Sequence, residues 1–482
     1  MTNQKNDLTR RDFALASAGV GALLSGAESA CAGPERKRYA IVGVGSRSYL
    51  YQEALHTTYA SGTELVGVCD SNEGRARLAA DYAQQNKRKA PKRYVPADFE
   101  RMLAEQKPDT VIVTTVDATH DDYICRALAH GANVITEKPM TTEAEKCQRI
   151  LDVRKQSGKR CTVAFNYRYS RVRSQVKELL MSGVIGDVLS VDFHWMLDTH
   201  HGADYFRRWH SQKRFSGGLM VHKATHHFDL VNWWLSAVPV RVQALGKRDF
   251  YTPNMAQRLG LKSHHERCQG CPERAQCGFE LDLSKDPRLK SLYLDQEKHD
   301  GYFRDRCVFR PEIDIEDTMN VQVAYDTGAT LAYSLNAFAA WEGYVITFNG
   351  SQGRLEHKME EAVVLDPSRP GGLSGDGTTI RIYPVRKPAY RVEPATAGGD
   401  HAGGDPVMLD DLLSQNPKPD KLRRRADERS GAYSILVGVA ANRSFTTKQP
   451  VEIASLVRNL EPPEYAPMPA RSSGVAMPPK AG

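Results

Sequence analysis

The chain has 482 residues, 41% of them hydrophobic and 26% charged, with 37 Gly and 25 Pro. That balance excludes a disordered chain, a collagen and a coiled coil, and the length suits two or three domains. A net charge of +7 without a long basic run argues against nucleic acid as the main partner, and no apolar stretch reaches the ~20 residues that cross a bilayer.

The N-terminus reads as an export address. Arg10-Arg11 precedes a short apolar run from Ala14 to Ala27, and Ala30-Cys31-Ala32 offers a small-residue cleavage site. The pattern resembles a twin-arginine signal, which implies a leader over residues 1–32, passage through the twin-arginine export machinery and a periplasmic location. Glu28 is a poor residue ahead of a lipid-modified cysteine, so no lipid anchor is expected on Cys31.

A predicted strand, Tyr39–Val42, runs into Gly43-Val44-Gly45-Ser46-Arg47-Ser48 and then a helical pattern. Glycines at such a turn let the backbone approach a pyrophosphate at the positive end of the following helix, and Ser48 is small enough for close packing. A second strand, Glu64–Cys69, ends at Asp70, the offset expected for a carboxylate that grips the adenosine ribose. An acid there repels a 2′-phosphate, so NAD is expected over NADP, although Arg75 pulls the other way. Strands over 109–115 and 132–136, with a helix starting near Thr119–Asp122, extend the alternation into a doubly wound parallel sheet. Thr115 and His120, after the third of these strands, join Gly43, Gly45, Ser46, Arg47, Ser48 and Asp70 as candidate cofactor residues.

Glu137-Lys138-Pro139 follows the next strand, and Val163-Ala164-Phe165-Asn166-Tyr167-Arg168-Tyr169 the one after it. With Gly183–Asp187, Gly217-Gly218, Asn349–Arg354 and Ala440–Ser444, these segments resemble the glucose-fructose oxidoreductase, inositol dehydrogenase and rhizopine-catabolism (Gfo/Idh/MocA) family, in the family's order. The resemblance implies an α/β chain with a Rossmann domain over 37–160. An α+β domain with a large, mainly antiparallel sheet would cover 161–460, and the chain would form a homo-oligomer. It also adds Glu137, Lys138, Asn166 and Arg168 to the cofactor site, with Lys138 touching both the reacting hydroxyl and the nicotinamide ribose.

The segment from Gly217 is read as one helix carrying His222, His226 and Asp229, where most members of that family have Asp, His and Asp. The resemblance gives the acid/base role to His226, with Lys138 and His222 as its catalytic companions. His222 departs from the family pattern, because the orienting carboxylate is missing. Two His at i and i+4 also permit a metal, but acid/base work with substrate hydrogen bonding is the preferred reading. His200, His201, Tyr205, Arg208 and Trp209, with Lys223 and Asp229, suit a carbohydrate pocket in which rings stack on sugar C–H faces and polar groups bind hydroxyls. Trp233 and Trp234 are expected in the core.

Cys268, Cys271, Cys277 and Cys307 lie in a polar insertion over 262–310, with His264 and His265 nearby as substitute ligands. Their spacing suits a structural zinc or an iron–sulfur cluster, with disulfides the alternative in an oxidising compartment. Cys69, Cys125, Cys147 and Cys161 read as buried apolar residues. Alternating strands are predicted over 320–325, 330–335 and 345–348. Residues 367–405 read as a loop or flap that holds a strand at 379–383 and returns His401 to the pocket. The Pro-rich tail over 461–482 is expected to be loosely ordered.

Together these readings predict a periplasmic, NAD-dependent oxidoreductase that converts a ring hydroxyl of a sugar or glycoside to a ketone. One alternative is a redox-neutral NAD-dependent glycosidase working by oxidation, elimination, hydration and reduction. Another is a non-catalytic sugar-binding protein on a dehydrogenase scaffold.

Overall fold

Runs of β-branched and aliphatic residues, each broken by a polar turn, build the first half of the chain. The computed structural model describes residues 36–262, 265–362, 377–395, 400–469, 474 and 477–480. The expected leader, Cys31 and His264 lie outside the described residues. Strand and helix alternate through β1 (Lys37–Val42), α1 (Ser48–His56), β2 (Thr63–Cys69), α2 (Glu73–Gln85), β3 (Lys92–Tyr94) and α3 (Phe99–Gln106). The series continues with β4 (Thr110–Val113), α4 (His120–Ala129), β5 (Asn133–Thr136), α5 (Ala144–Ser157) and β6 (Cys161–Val163). All six strands pair in parallel, in the order β6-β5-β4-β1-β2-β3. The order reverses between β4 and β1, so the crevice outside their carboxyl ends is where such a sheet binds ligands. Ile41 and Val111–Val113 are fully buried, as helices on both faces require.

The second half starts with α6 (Arg171–Met181), β7 (Val188–Asp198), α7 (Thr199–Arg207), α8 (Lys213–Ser216), α9 (Gly218–His222) and α10 (Thr225–Leu235). After β8 (Pro239–Lys247) and α11 (Pro253–Arg258), the insertion forms α12 (Pro287–Leu292) and α13 (Glu297–Asp300) among turns. Then come β9 (Thr318–Tyr325), β10 (Thr330–Ala339), β11 (Glu342–Gly350), β12 (Gly353–Ala362), β13 (Thr378–Pro384) and β14 (Tyr390–Val392). The chain ends with α14 (Asp400–Leu413), β15 (Ala426–Asp427), α15 (Glu428–Thr447) and β16 (Val451–Glu452). The second sheet has nine strands in the order β14-β13-β12-β11-β7-β10-β9-β8-β16. Only β7 and β10 in it run parallel. β9 and β10 alternate buried and outward residues, so one face packs on α10, where Trp233 and Trp234 are fully buried.

The last elements return to the first sheet. β15 pairs antiparallel with β6, and α15 then packs against β6 and α5 on one side and α9, α10 and β8 on the other. A Cβ on Gly438 would lie 2.3 Å from the Met220 carbonyl, so glycine permits the close approach of α15 to α9.

Four expectations change. The single helix from Gly217 is two: α9 ends at His222, Lys223–Ala224 form a turn, and α10 starts at Thr225. Of the flap read over 367–405, the strand expected at 379–383 forms within β13, and residues 367–376 and 396–399 lie outside the described residues. Only from Asp400 does the loop give way to α14; the His401 side chain also lies outside what is described. The tail is held through its first residues, because Arg429 donates to the Pro462 carbonyl at 3.1 Å and Ser236 to that of Ala466 at 2.6 Å.

The insertion shows no metal site: among the described residues no group of three or more His, Cys, Asp and Glu side chains could hold a metal ion. Its four thiols are free, with no disulfide among them. Cys268 Sγ accepts from Arg207 at 3.4 Å and Cys307 Sγ from the Phe309 N–H at 3.5 Å. Burial raises the Cys277 and Cys307 thiols, and neighbouring cysteines add to the rise. His265 is exposed, whereas Cys69, Cys125, Cys147 and Cys161 are buried as expected.

Candidate active site

A cavity of about 800 Å³ runs from the carboxyl ends of β1, β2 and β4 to the turn between α9 and α10. At the nucleotide end Gly43 has φ +83°, and a Cβ there would lie 2.7 Å from the Thr115 nitrogen. Only glycine satisfies both the backbone and the space. Ser48 lies beneath the turn and donates to the Gly45 carbonyl at 2.7 Å. The Asp70 carboxylate accepts the Val44 and Asn72 N–H groups at 2.7 Å each, which holds it at the end of β2. His120 ties the Thr115 carbonyl (3.1 Å) to that of Pro139 (2.8 Å), across the cis Lys138–Pro139 bond. Glu137 is a brace: it accepts from Arg47 at 2.6 Å and Tyr51 at 2.9 Å. Asn166 donates to Asp405 at 2.7 Å, joining the cavity wall to α14. A glycine-lined turn, a helix N-terminus and a fixed acid at the end of β2 fit a dinucleotide.

At the other end His222 Nδ1 lies 2.5 Å from Asp117 Oδ2, and the Lys138 amine lies 3.4 Å from His222 Nε2 and 3.2 Å from the His222 carbonyl. Asp117 comes from the connection between β4 and α4, so the first sheet supplies the carboxylate that the helix sequence lacks. Burial lowers His222 well below the usual imidazole range, and the Lys138 and Arg208 cations add to this. Burial also pushes the Asp117 carboxyl well up, against the pull of Lys138 and Arg208. The neutral tautomer that meets both contacts keeps its proton on Nδ1, donated to Asp117, and turns the Nε2 lone pair to the cavity. Burial lowers Lys138 to about 8, even with Asp117 and Glu137 favouring its charge. His210 crowds the His222 ring at 4.2 Å and stacks on Trp209 at 3.6 Å. His226 also faces the cavity, lying flat on Tyr167 with ring centroids 4.2 Å apart.

Fixed polar groups and rings line the remaining wall. His201 Nδ1 lies 2.7 Å from Glu342 and its Nε2 3.0 Å from the Tyr205 hydroxyl. Burial raises Glu342, but the His201 bond and Lys223 outweigh it and hold the carboxyl low. Lys223 donates to the Tyr167 hydroxyl at 3.2 Å.

The cavity therefore brings together Lys138, His222 and His226 with Gly43, Gly45, Ser46, Arg47, Asp70, Thr115, His120, Glu137 and Asn166. His201, Tyr205, Arg208, Trp209 and Lys223 line it as well. Three expected members are elsewhere. Arg168 and Asp229 form a buried bidentate pair (2.7 and 2.5 Å), each 1% exposed, and line no part of the cavity. His200 is exposed at the start of α7, where its N–H is capped by Asp198. Sequence reasoning missed Asp117, Tyr293, Asp300 and Tyr302, all of them in the wall. None sits in a local motif; the only signal for Asp117 was its place just after the β4 strand end.

A family model for oxidoreductases with an NAD-binding Rossmann fold matches residues 37–165, and the model for their C-terminal alpha/beta domain matches residues 177–453. The putative oxidoreductase YteT of Bacillus subtilis is 37% identical over 437 residues, which is 87% of this chain and 98% of that protein. Glycosyl hydrolase family 109 protein 1 of Akkermansia muciniphila is 30% identical over 197 residues, 39% of this chain and 40% of its own. Among solved structures, aldose-aldose oxidoreductase from Caulobacter crescentus in complex with glycerol aligns with a TM-score of 0.56 at 17% identity, covering 87% of this chain and 100% of that one. At that identity the likeness is one of fold.

Proposed function

The chain belongs to the Gfo/Idh/MocA family of NAD(P)-dependent oxidoreductases, and from that premise we propose that it uses NAD to oxidise a ring hydroxyl of a sugar or glycoside to a ketone. The observation that carries this reading is the His222–Asp117 pair facing Lys138, in the same cavity as the Gly43–Ser46 turn.

NAD bound along that turn supplies the hydride acceptor. His222 Nε2 takes the hydroxyl proton, and Asp117 holds the resulting imidazolium through Nδ1–H. The Lys138 ammonium donates to the hydroxyl oxygen; its lowered proton affinity lets it release one of its own protons to solvent and, as the neutral amine, then take the proton from His222 Nε2, 3.4 Å away. This assigns the base to His222 rather than to His226, because the Asp117 contact orients His222. His201, Tyr205, Lys223 and Arg208 bind the other hydroxyls, and Trp209 offers a ring to the sugar's C–H face.

The test mixes purified protein with NAD and a panel of sugars and nitrophenyl glycosides, following reduced nicotinamide and nitrophenol together. Nicotinamide reduction matched by a keto sugar supports the proposal. Nitrophenol release without net reduction replaces it with the redox-neutral glycosidase, a reading that the similarity to a glycosyl hydrolase family 109 protein supports. Sugar binding with neither signal would leave a non-catalytic scaffold.

Arg10-Arg11 ahead of the apolar run supports a periplasmic location, reached through the twin-arginine machinery. Cell fractionation checks this, with the Arg10→Lys, Arg11→Lys variant expected to stay in the cytoplasm.

A further inference from the structure

The insertion between α11 and β9 joins neither sheet; an isolated bridge between Arg267 and Arg306 ties its own ends together. Its middle section nonetheless reaches the first sheet and touches both ends of the expected dinucleotide path. At the glycine turn, Arg288 donates to the Ser46 carbonyl at 2.9 Å, and the Ser46 N–H donates to the Tyr293 hydroxyl at 3.2 Å. At the ribose end, Asn72 donates to the Gln296 carbonyl at 3.0 Å. Arg75 donates to Asp300 at 2.5 Å and reaches Asp70 at 3.5 Å. The fit over α2 is tight: a Cβ on Gly74 would lie 1.8 Å from Gln296 Oε1. The far side is anchored by Arg267, which bonds Glu297 at 2.6 Å and Asp305 at 2.8 Å, and by the Arg304–Asp204 pair.

We propose that residues 287–302 are a strap forming the outer wall of the dinucleotide site, so that the cofactor is held through turnover and does not exchange freely. The inference rests on the cofactor reading above. Tyr293, Asp300 and Tyr302 line the cavity directly. The Tyr293 hydroxyl stands at the Ser46 N–H, a donor that such a turn offers to a phosphate. A dinucleotide seated on that turn lies beneath the strap, and its release requires the Ser46, Asn72 and Arg75 contacts to open. The same geometry assigns a specificity role to Asp300. It occupies Arg75, a cation beside Asp70 that could meet a 2′-phosphate, and adds a second carboxylate near Asp70.

The experiment loads the full-length purified protein with isotope-labelled NAD, chases it with unlabelled NAD, and counts the label retained after rapid desalting. Wild type should keep its label far longer than Tyr293→Phe/Arg288→Ala, which loses both grips on Ser46 and should release at least roughly tenfold faster. Asp300→Asn should release faster and gain roughly tenfold in NADP affinity relative to NAD by titration calorimetry. Tyr293→Phe alone removes one oxygen and serves as a conservative variant, with thermal melts confirming that each protein is folded. Binding with fast exchange, unchanged in folded variants, would overturn the strap while leaving the cofactor site standing. No nicotinamide binding by calorimetry would overturn the cofactor reading and the strap with it.

Discussion

Replacing Asp117 with Asn tests which histidine carries the proton. The side chain keeps its volume and one acceptor oxygen, so the buried pocket next to His222 stays filled, while the charge facing Nδ1 at 2.5 Å is lost. A hydrogen bond to a charged partner contributes about 1.5–3 kcal/mol, and here it acts mainly once His222 has taken the proton. At about 1.4 kcal/mol per tenfold, the rate of nicotinamide reduction should fall roughly ten- to a hundred-and-fifty-fold. The sugar's KM should change little, because Asp117 would support the imidazolium rather than the ground state. Single-turnover reduction, recorded across pH alongside a thermal melt, reads both quantities. A change below about threefold in a folded protein would refute the dyad. So would a larger loss from His226→Asn than from His222→Asn, since it is His222 that Asp117 orients.

Lys177 is fully buried, and burial lowers it from 10.5 to about 7. The unfolded chain binds the extra proton between those values, so this residue makes stability rise as pH climbs from about 7 to 10.5. Lys177→Met should remove that slope and add stability at neutral pH, with an upper limit of about 4 kcal/mol set by the shift. Denaturant unfolding at several pH values measures this; an unchanged slope refutes it. Arg168→Met leaves Asp229 buried without its partner and should cost about 3–5 kcal/mol, with Arg168→Met/Asp229→Leu recovering most of it in the same unfolding assay. Gly43→Ala forces a Cβ to 2.7 Å from the Thr115 nitrogen at φ +83°. Calorimetry should show NAD affinity reduced at least roughly tenfold, since about 1–2 kcal/mol of backbone strain alone opposes the bound turn.

What could be read from the sequence was local. The Gly43–Ser48 turn, Asp70 and Lys138 each sit at the end of a strand whose apolar run announces it, and β9 and β10 alternate as a half-buried sheet must. Asp117 lies 105 residues from His222, and no periodicity links them. The helix break was equally hidden, because Lys223 and Ala224 are good helix formers and the turn is imposed by packing. Arg168 and Asp229 show the opposite failure. Both lie in segments that resemble the family's motifs, and the structure uses them for support rather than chemistry. Spacing along the chain picked out four cysteines that lie near enough to raise one another's proton affinity, but it could not say whether they form a metal-holding group, and among the described residues they do not.

The return of β15 to β6, followed at once by α15, bears on how such a gene can be cut and recombined. A fragment ending at residue 165, where the first family match stops, would leave β6 with open backbone groups along one edge, an invitation to misassembly. It would also strip α15 from α5, exposing apolar surface that the two halves normally share. The nucleotide-binding half is therefore not a detachable cassette. Chimeras with relatives should carry residues 426–447 along with the N-terminal portion, so that crossovers follow the clasp and not the linear order of the sheets.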